Sequence, residues 1–176
     1  AGDQVADTKH HGSRDQAVCC QPLVHYDFWN RFYQLNSPET QLGPGSVGEN
    51  WTLTNITEAD VAVGDIFQVG EATVQVSAPR YPCSKQERKL KLPNFFKEVM
   101  AAQRTGFYLR VLTPGMVQVG DELKLVERPN PSFTIQLINQ NTLGTPNGEL
   151  VQQLLELPTL ADVWKEILAH KLSNPG

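Results

Sequence analysis

Apolar and polar residues alternate over Ala72–Val76, with Ala72, Val74 and Val76 on one side and Thr73 and Gln75 on the other. This is the period of a half-buried strand. Residues 51–76 alternate in the same way, and turn signals at Gly64-Asp65 and Gly70-Glu71 cut the run into separate strands. Gln16–Cys20 predicts a short strand in which neighbours face opposite sides. One of Cys19 and Cys20 therefore fills a core, and the other faces the surface or a site. Phe107–Leu112 and Asp121–Val126 complete the predicted strands. Helical spacing appears between them. Leu23, Tyr26, Trp29 and Phe32 predict a helix to about Tyr33, opened by Pro22, since proline suits the first helical position. His25 lies on this aromatic helix and reads as structural. Phe95, Phe96, Val99, Met100 and Gln103 predict a second helix within Pro93–Thr105, ended by Gly106.

The connections carry information of their own. Asn36–Asn50 is a long loop rich in Gly and Pro, a kind of segment that is uncommon in compact domains and often functional. The run Lys85, Arg88, Lys89 and Lys91 reads as a solvated basic face. Val61-Ala62-Val63-Gly64-Asp65-Ile66 is echoed by Val117-Gln118-Val119-Gly120-Asp121-Glu122, which fits strands re-entering one barrel through similar turns. After Arg128-Pro129-Asn130-Pro131 the composition changes. The tail predicts three short helices, about Phe133–Leu143, Gly148–Leu157 and Leu160–Leu172. Asn147 is placed to cap the second of these, and Thr159 with Asp162 resembles a capping box on the third. None is long enough to be stable alone, so all must pack on one another or on the barrel.

Composition narrows the function classes. The 176 residues can bury a real core, and 40% hydrophobic with 19% charged residues is ordinary for a globular protein. A net charge of -4 gives no electrostatic footprint for nucleic acid, and no apolar run approaches a membrane span. The three Cys, two of them adjacent, provide no disulfide framework and point to a reducing, cytoplasmic setting. They are also fewer than an iron–sulfur cluster normally needs.

Three segments can carry chemistry. Ala78-Pro79-Arg80-Tyr81-Pro82-Cys83 leaves the strand Ala72–Val76 as a stiff, non-helical exit, because two prolines fix φ and remove backbone donors. Arg80 and Lys85 set positive charge near Cys83, which favours thiolate, the form that attacks or binds metal. A soft anionic ligand on a rigid loop suits a redox metal, although a lone Cys is more often a small buried hydrophobe. Lys9-His10-His11-Gly12-Ser13-Arg14-Asp15 combines a glycine that admits close backbone approach with a forked Arg donor for phosphate or carboxylate. Adjacent His residues seldom chelate one metal, so zinc is not indicated. Gly48-Glu49-Asn50 offers acceptors and a donor suited to a heterocycle edge.

Taken in order, His-His-Gly, Gly-Glu-Asn, Pro-Arg-Tyr-Pro-Cys and Arg104-Thr-Gly-Phe-Tyr-Leu-Arg-Val-Leu112 resemble the MOSC domain, the C-terminal domain of molybdenum cofactor sulfurases. The chain is most similar to the stand-alone bacterial YiiM-like branch with its C-terminal three-helix segment. The resemblance implies a mainly β, α+β fold: a MOSC-type β-barrel with peripheral helices over 1–129 and a three-helix appendage over 130–176. It also implies binding of the molybdenum cofactor (molybdopterin), with Cys83 as catalytic residue and metal ligand. The positions matched to the family's cofactor-binding motifs are His11, Gly12, Arg14, Asp15, Gly48, Glu49, Asn50 and Arg80.

The activity implied is reduction of N-hydroxylated compounds, of the hydroxylaminopurine or amidoxime type, to amines. Electrons would come from a separate flavin or iron–sulfur reductase. The alternative is a carrier that holds the cofactor, or sulfur as a persulfide on Cys83, without turnover. The chain departs from the family pattern at Ser13, Gln16 and Trp51. Gly2-Asp3 matches the end of an earlier family motif, which places about a quarter of the family's length, barrel strands included, before Ala1.

Overall fold

The computed structural model describes residues 14–174, so His11 and Gly12 lie outside the described residues. A 3-10 turn, Arg14–Gln16, leads into β1 (Val18–Pro22) and α1 (Val24–Phe32). Then come β2 (Trp51–Leu53), β3 (Ile66–Val69), β4 (Ala72–Pro79), α2 (Ser84–Leu90) and α3 (Phe95–Ala102). The chain continues through β5 (Phe107–Thr113), β6 (Lys124–Glu127), α4 (Ile135–Leu143), α5 (Gly148–Glu156) and α6 (Asp162–Ser173). The six strands form one curled sheet, half of a barrel, in the order β2-β1-β5-β4-β3-β6. Among the described residues, only the β1–β2 pair is parallel. Among the described residues, no helix is long and apolar enough to cross a membrane.

Several boundaries differ from the sequence expectation, each for a local reason. Pro22 closes β1 instead of opening α1. It pairs with Leu53 of β2 beyond the point where β5 stops pairing, so its missing N–H breaks no ladder on that side. The basic run after Cys83 is helical. It carries too few apolar residues to show a stripe, and its helix α2 starts from Cys83 as an extended N-cap residue, φ -107 and ψ 127. Helix α3 is shorter than expected because Asn94 and Gln103, both left-handed at φ 60 and 55, bound it. Gly106 does not end α3; at φ +77 it bends the chain into β5. The capping box at α6 is absent. Ala161 is the N-cap residue, while Thr159 accepts a hydrogen bond from Asn130 Nδ2 (3.2 Å) and offers its carbonyl to Arg110 (2.8 Å). Asn147 does cap α5, accepting from Leu150 N at 3.1 Å.

The repeated Gly-Asp turns are alike in hydrogen bonding. Asp65 Oδ2 accepts from Ala62 N (2.8 Å) and Asp65 N donates to Ala62 O (3.0 Å). Asp121 makes the same two bonds with Gln118, at 2.9 and 3.1 Å. Gly64 and Gly120 hold matching φ values of 90 and 96. The first copy is buried, and Arg128 closes over its carboxylate with Nε at 3.0 Å and Nη2 at 2.7 Å.

Alternation along the strands divides the molecule. Cys20, Phe107, Leu109 and Val76 face one side and pack with Ile135, Ile138, Leu154, Trp164 and Leu168 of the last three helices in a single cluster. Cys19, Gln21 and Tyr108 face the other side. There α1, α3 and the loop before β2 build a second cluster from Tyr26, Trp29, Val47, Leu92, Phe95 and Val99. Tyr81, on the Cys83 loop, contacts both layers, with its ring 6.2 Å from Trp164 and 6.4 Å from Phe96. Because Trp164 is 1% exposed within the shared core, Trp164→Ala should cost about 3–5 kcal/mol. Urea unfolding should show this as a lower midpoint, with sheet and helix signals still lost in one transition.

Candidate functional site

The site lies on the face of the sheet opposite the main core, where β1, β4 and β5 meet the loop before β2. Cross-strand register sets Cys19 beside Tyr108, and Tyr108 beside Ala78 of β4. Beyond Ala78, Arg80 is anchored by its backbone N–H to Gly106 O at 3.0 Å. Its guanidinium is buried and donates from Nη2 to Val47 O at 2.6 Å. Gln86 of α2 donates to the same carbonyl at 2.7 Å. One backbone oxygen thus ties the Arg80 loop, the helix that follows Cys83 and the Gly48-Glu49-Asn50 segment together.

Glu49 organises that segment. Its Oε1 accepts from Tyr26 Oη (2.5 Å), Gly45 N (2.7 Å) and Thr52 Oγ1 (2.7 Å). Among the described residues its Oε2 is buried with no hydrogen-bond partner. Burial would raise the Glu49 pKa, but the bonds from Tyr26, Gly45 and Thr52 outweigh it and hold the carboxyl below its ordinary range. Asn50 pairs with Cys19 at both backbone groups: Oδ1 accepts from Cys19 N (2.8 Å), and Asn50 N donates to Cys19 O (2.9 Å). Gly48, at φ +76, supplies the bend that precedes this clamp.

The three thiols have different surroundings. Cys19 and Cys20 are buried and Cys83 is partly exposed. Burial pushes the Cys19 thiol up to about 11, against the pull of Arg80 and with a push from Glu49. Burial, with the neighbouring Cys19, raises the Cys20 pKa well above its ordinary value. The Tyr108 phenol rises to about 12, first by burial and then by the charge of Cys19. Arg80 opposes that rise by its charge and a hydrogen bond, and Cys83 adds to it. Tyr108 therefore senses Cys19, Arg80 and Cys83 together, and at neutral pH it keeps its proton.

The structure brings Arg80, Cys83, Glu49 and Asn50 to one region. The other predicted positions are placed differently. Arg14 is exposed on the 3-10 turn. The Asp15 carboxylate pairs with Arg110 Nε at 3.0 Å, an ion pair without hydrogen-bond alignment, and its backbone carbonyl accepts from Ser77 Oγ. Asp15 thereby docks the turn onto β4 and β5. Sequence reasoning passed over Tyr108, Tyr26 and Gln86. Alternation within Phe107–Leu112 puts Tyr108 opposite Phe107 and Leu109, a signal that could have singled it out. Gln86 sits in the unstriped helix α2 and gave none.

A family model described as MOSC domain matches residues 7–124 of this chain. The uncharacterized protein YflK of Bacillus subtilis (strain 168) is 38% identical over 97% of the chain and 75% of its own length. A protein named Reductase from Gibberella moniliformis (strain M3125 / FGSC 7600) is 32% identical over 98% of the chain, which spans 30% of that longer protein. The crystal structure of YiiM from Geobacillus stearothermophilus superposes with a TM-score of 0.84 at 37% identity, covering 91% of this chain and 80% of that one.

Two measurements probe the site's electrostatics. Iodoacetamide at mildly alkaline pH should modify Cys83 in the folded protein and reach Cys19 and Cys20 only after unfolding; prompt labelling of Cys19 would contradict its burial. A depressed folded-state pKa at Glu49 gives stability that is present above the unfolded carboxyl value and lost as pH falls through the folded one. Urea midpoints followed downward from about pH 5 should therefore fall more steeply for the parent than for Glu49→Gln.

Proposed function

Because the chain belongs to the MOSC domain family, we propose that it is a molybdenum-cofactor-dependent oxidoreductase that reduces N-hydroxylated compounds to amines. The reaction takes an N–OH substrate, two electrons and two protons to the amine and water. The observation that carries the reading is the segregation of sulfur. Cys83 is the one partly exposed thiol of the three, on a loop fixed beside the buried Arg80, while burial keeps Cys19 and Cys20 protonated.

The residues present fit such a group. A partly exposed thiol is the kind of soft ligand a molybdenum centre takes. Glu49 Oε2, buried and without a partner among the described residues, would accept from a donor such as the edge of a pterin supplies. When bound, the cofactor supplies the two-electron chemistry, and the protein supplies ligation, orientation and a dry pocket. Cys83 would be the metal ligand. Arg80, with Gly48, Glu49 and Asn50, would hold the organic part, and Arg14, with His11 and Gly12, would meet its phosphate. Asp15 would act by fixing the 3-10 turn through Arg110. Tyr108 keeps its proton and so would offer a hydrogen-bond donor within the electrostatic reach of Cys83. Three cysteines are too few for a cluster of the chain's own, so electrons would come from a separate flavin or iron–sulfur reductase. A name shared with this chemistry, Reductase, belongs to the Gibberella moniliformis relative.

Cys83→Ser tests the assignment in protein produced by a host that makes the cofactor. We expect reduction of hydroxylaminopurine to fall to background and molybdenum content to drop, with the far-ultraviolet circular dichroism of the folded chain unchanged. Turnover equal to the parent's would exclude Cys83 as the ligand.

A further inference from the structure

The helix that leaves Cys83 carries charge that the proposed site does not use. The whole chain has a net charge of -4, yet residues 85–91 hold four cations, Lys85, Arg88, Lys89 and Lys91, against the single acid Glu87. All four cations are exposed. In α2, positions 85, 88 and 89 stand at i, i+3 and i+4, so they share one face, and Lys91 continues the run just past the helix end. The rest of α2 is committed to the fold. Gln86 donates to Val47 O at 2.7 Å, and Leu90 packs against the cluster of Tyr26 and Trp29. Glu87 Oε2 accepts from Phe96 N at 3.4 Å, which turns the one carboxylate toward α3.

This arrangement works against the helix that bears it. Like charges at i, i+3 and i+4 repel, and Lys85 stands in the first turn, the end of a helix that favours anions. Among the described residues no ion pair engages Arg88, Lys89 or Lys91, and Lys89 makes only a long bond to Ser46 O at 3.5 Å. Residues that break a local rule without a compensating contact are expected where function sets them. Here they build a local positive field on an otherwise acidic chain. Such a field steers the encounter with an oppositely charged partner.

The charged face also lies close to the partly exposed thiol. Cys83 is the N-cap residue of α2, and at about 1.5 Å per residue the seven-residue helix reaches only about 10 Å from it. On the other side of Cys83, Tyr81 is 45% exposed, and exposed aromatic rings with Arg are what protein interfaces favour. We propose that Tyr81 and the basic face of α2 form the docking surface for an acidic electron-transfer protein, one whose redox group is ringed by carboxylates. Those carboxylates would meet Arg88, Lys89 and Lys91, and the carrier's redox group would come to the Cys83 end of the helix. A one-electron carrier docks twice and is oxidised by one electron each time. The two electrons, with two protons from water, take the N–OH substrate to the amine and water. The electron-donor role rests on the N-reduction reading; the acidic-partner surface does not.

Nitrogen-15 NMR of the folded chain, titrated with a plant-type ferredoxin as the acidic probe, tests the surface. We expect shifts and line broadening confined to Tyr81 and residues 85–91, with an affinity that falls about tenfold between about 0.02 M and about 0.3 M salt. Arg88→Glu with Lys91→Glu should abolish the effect, while Lys124→Glu with Lys171→Glu, the same change of charge on β6 and α6, should not. In cofactor-loaded enzyme the first pair should raise KM for reduced ferredoxin about tenfold at low salt. Turnover with reduced methyl viologen and molybdenum content should stay at the parental level. No binding at low salt, shifts on other faces, or equal weakening by the control pair overturns the surface. Loss of molybdenum in the first pair would assign the cations to the cofactor, and binding to anionic phospholipid vesicles without binding to ferredoxin would assign them to a membrane; either overturns the proposal. Should the first pair not fold, the parent's shift map and salt dependence decide. An enzyme with no N-reduction from either donor would refute the functional reading while leaving the NMR map to judge the surface.

Discussion

The carboxylate of Glu58 is the interaction on which the site depends. One oxygen accepts the Gly106 N–H and the other faces the buried ring of His25. Removing either partner would leave a buried charge poorly compensated, which costs more than the bond itself contributes. Gly106 is where this matters most. Its φ of +77 and its Cα packed against the Cys20 carbonyl leave no room for a side chain, so the entry to β5 is set by glycine and held by Glu58. From that fixed point Tyr108 takes its register with Cys19 and Ala78, and Arg80 takes its backbone anchor. On the far side Thr105 donates to the Gly106 carbonyl and accepts from Asn139 of α4, so the network reaches the C-terminal helices.

A second constraint is the shared acceptor at Val47. A carbonyl has two lone pairs, and here Arg80 and Gln86 take both. Cys83 lies between those two donors in sequence. Its position therefore needs no bond of its own beyond the helix start, where its carbonyl receives Gln86 N at 2.9 Å. The Tyr81 ring, set between Phe96 and Trp164, holds the same loop from the apolar side. A thiol fixed by its neighbours and left partly exposed is free to use its sulfur on a ligand. That combination separates Cys83 from Cys19, which feels the charge of Arg80 but is buried and kept neutral.

Much of the architecture was legible because it follows from period and punctuation. The alternation of Ala72–Val76, the opposite faces of Cys19 and Cys20, the Gly-Asp turns and the Asn147 cap are each set by neighbouring residues, and each appears as read. The failures occurred where tertiary pairing decides. Pro22 reads as a helix opener unless one knows that β2 runs parallel beside β1. Thr159 reads as a cap unless one knows that Arg110 and Asn130 claim it. Helix α2 has no stripe because its start rests on the Cys83 loop rather than on a packed face. Glu58 gave no signal, and His25 read as a structural residue of its helix, as its burial bears out, but its pairing with Glu58 could not be seen in one dimension.

The motif residues divide by what their atoms are already doing, and the division limits what a ligand can ask of them. Asn50 has both its backbone N–H and its side-chain oxygen committed to Cys19, so it acts on a ligand mainly by fixing the edge of β1. Asp15 is held by Arg110 and acts by placing the 3-10 turn. Glu49 is half committed: three donors converge on Oε1, while Oε2 is buried without one among the described residues. A buried ionised oxygen with no partner is costly, and such atoms persist where another molecule completes them. In the proposed reading, Gly-Glu-Asn would therefore offer a ligand one oxygen held in place by a scaffold of hydrogen bonds, rather than three contacts. The same division separates Arg80, which the sequence offered as a site candidate, from Gln21, which it did not. The Arg80 charge marks it in the sequence, whereas the place of Gln21, between the buried His25 and a small cavity, comes only from the fold.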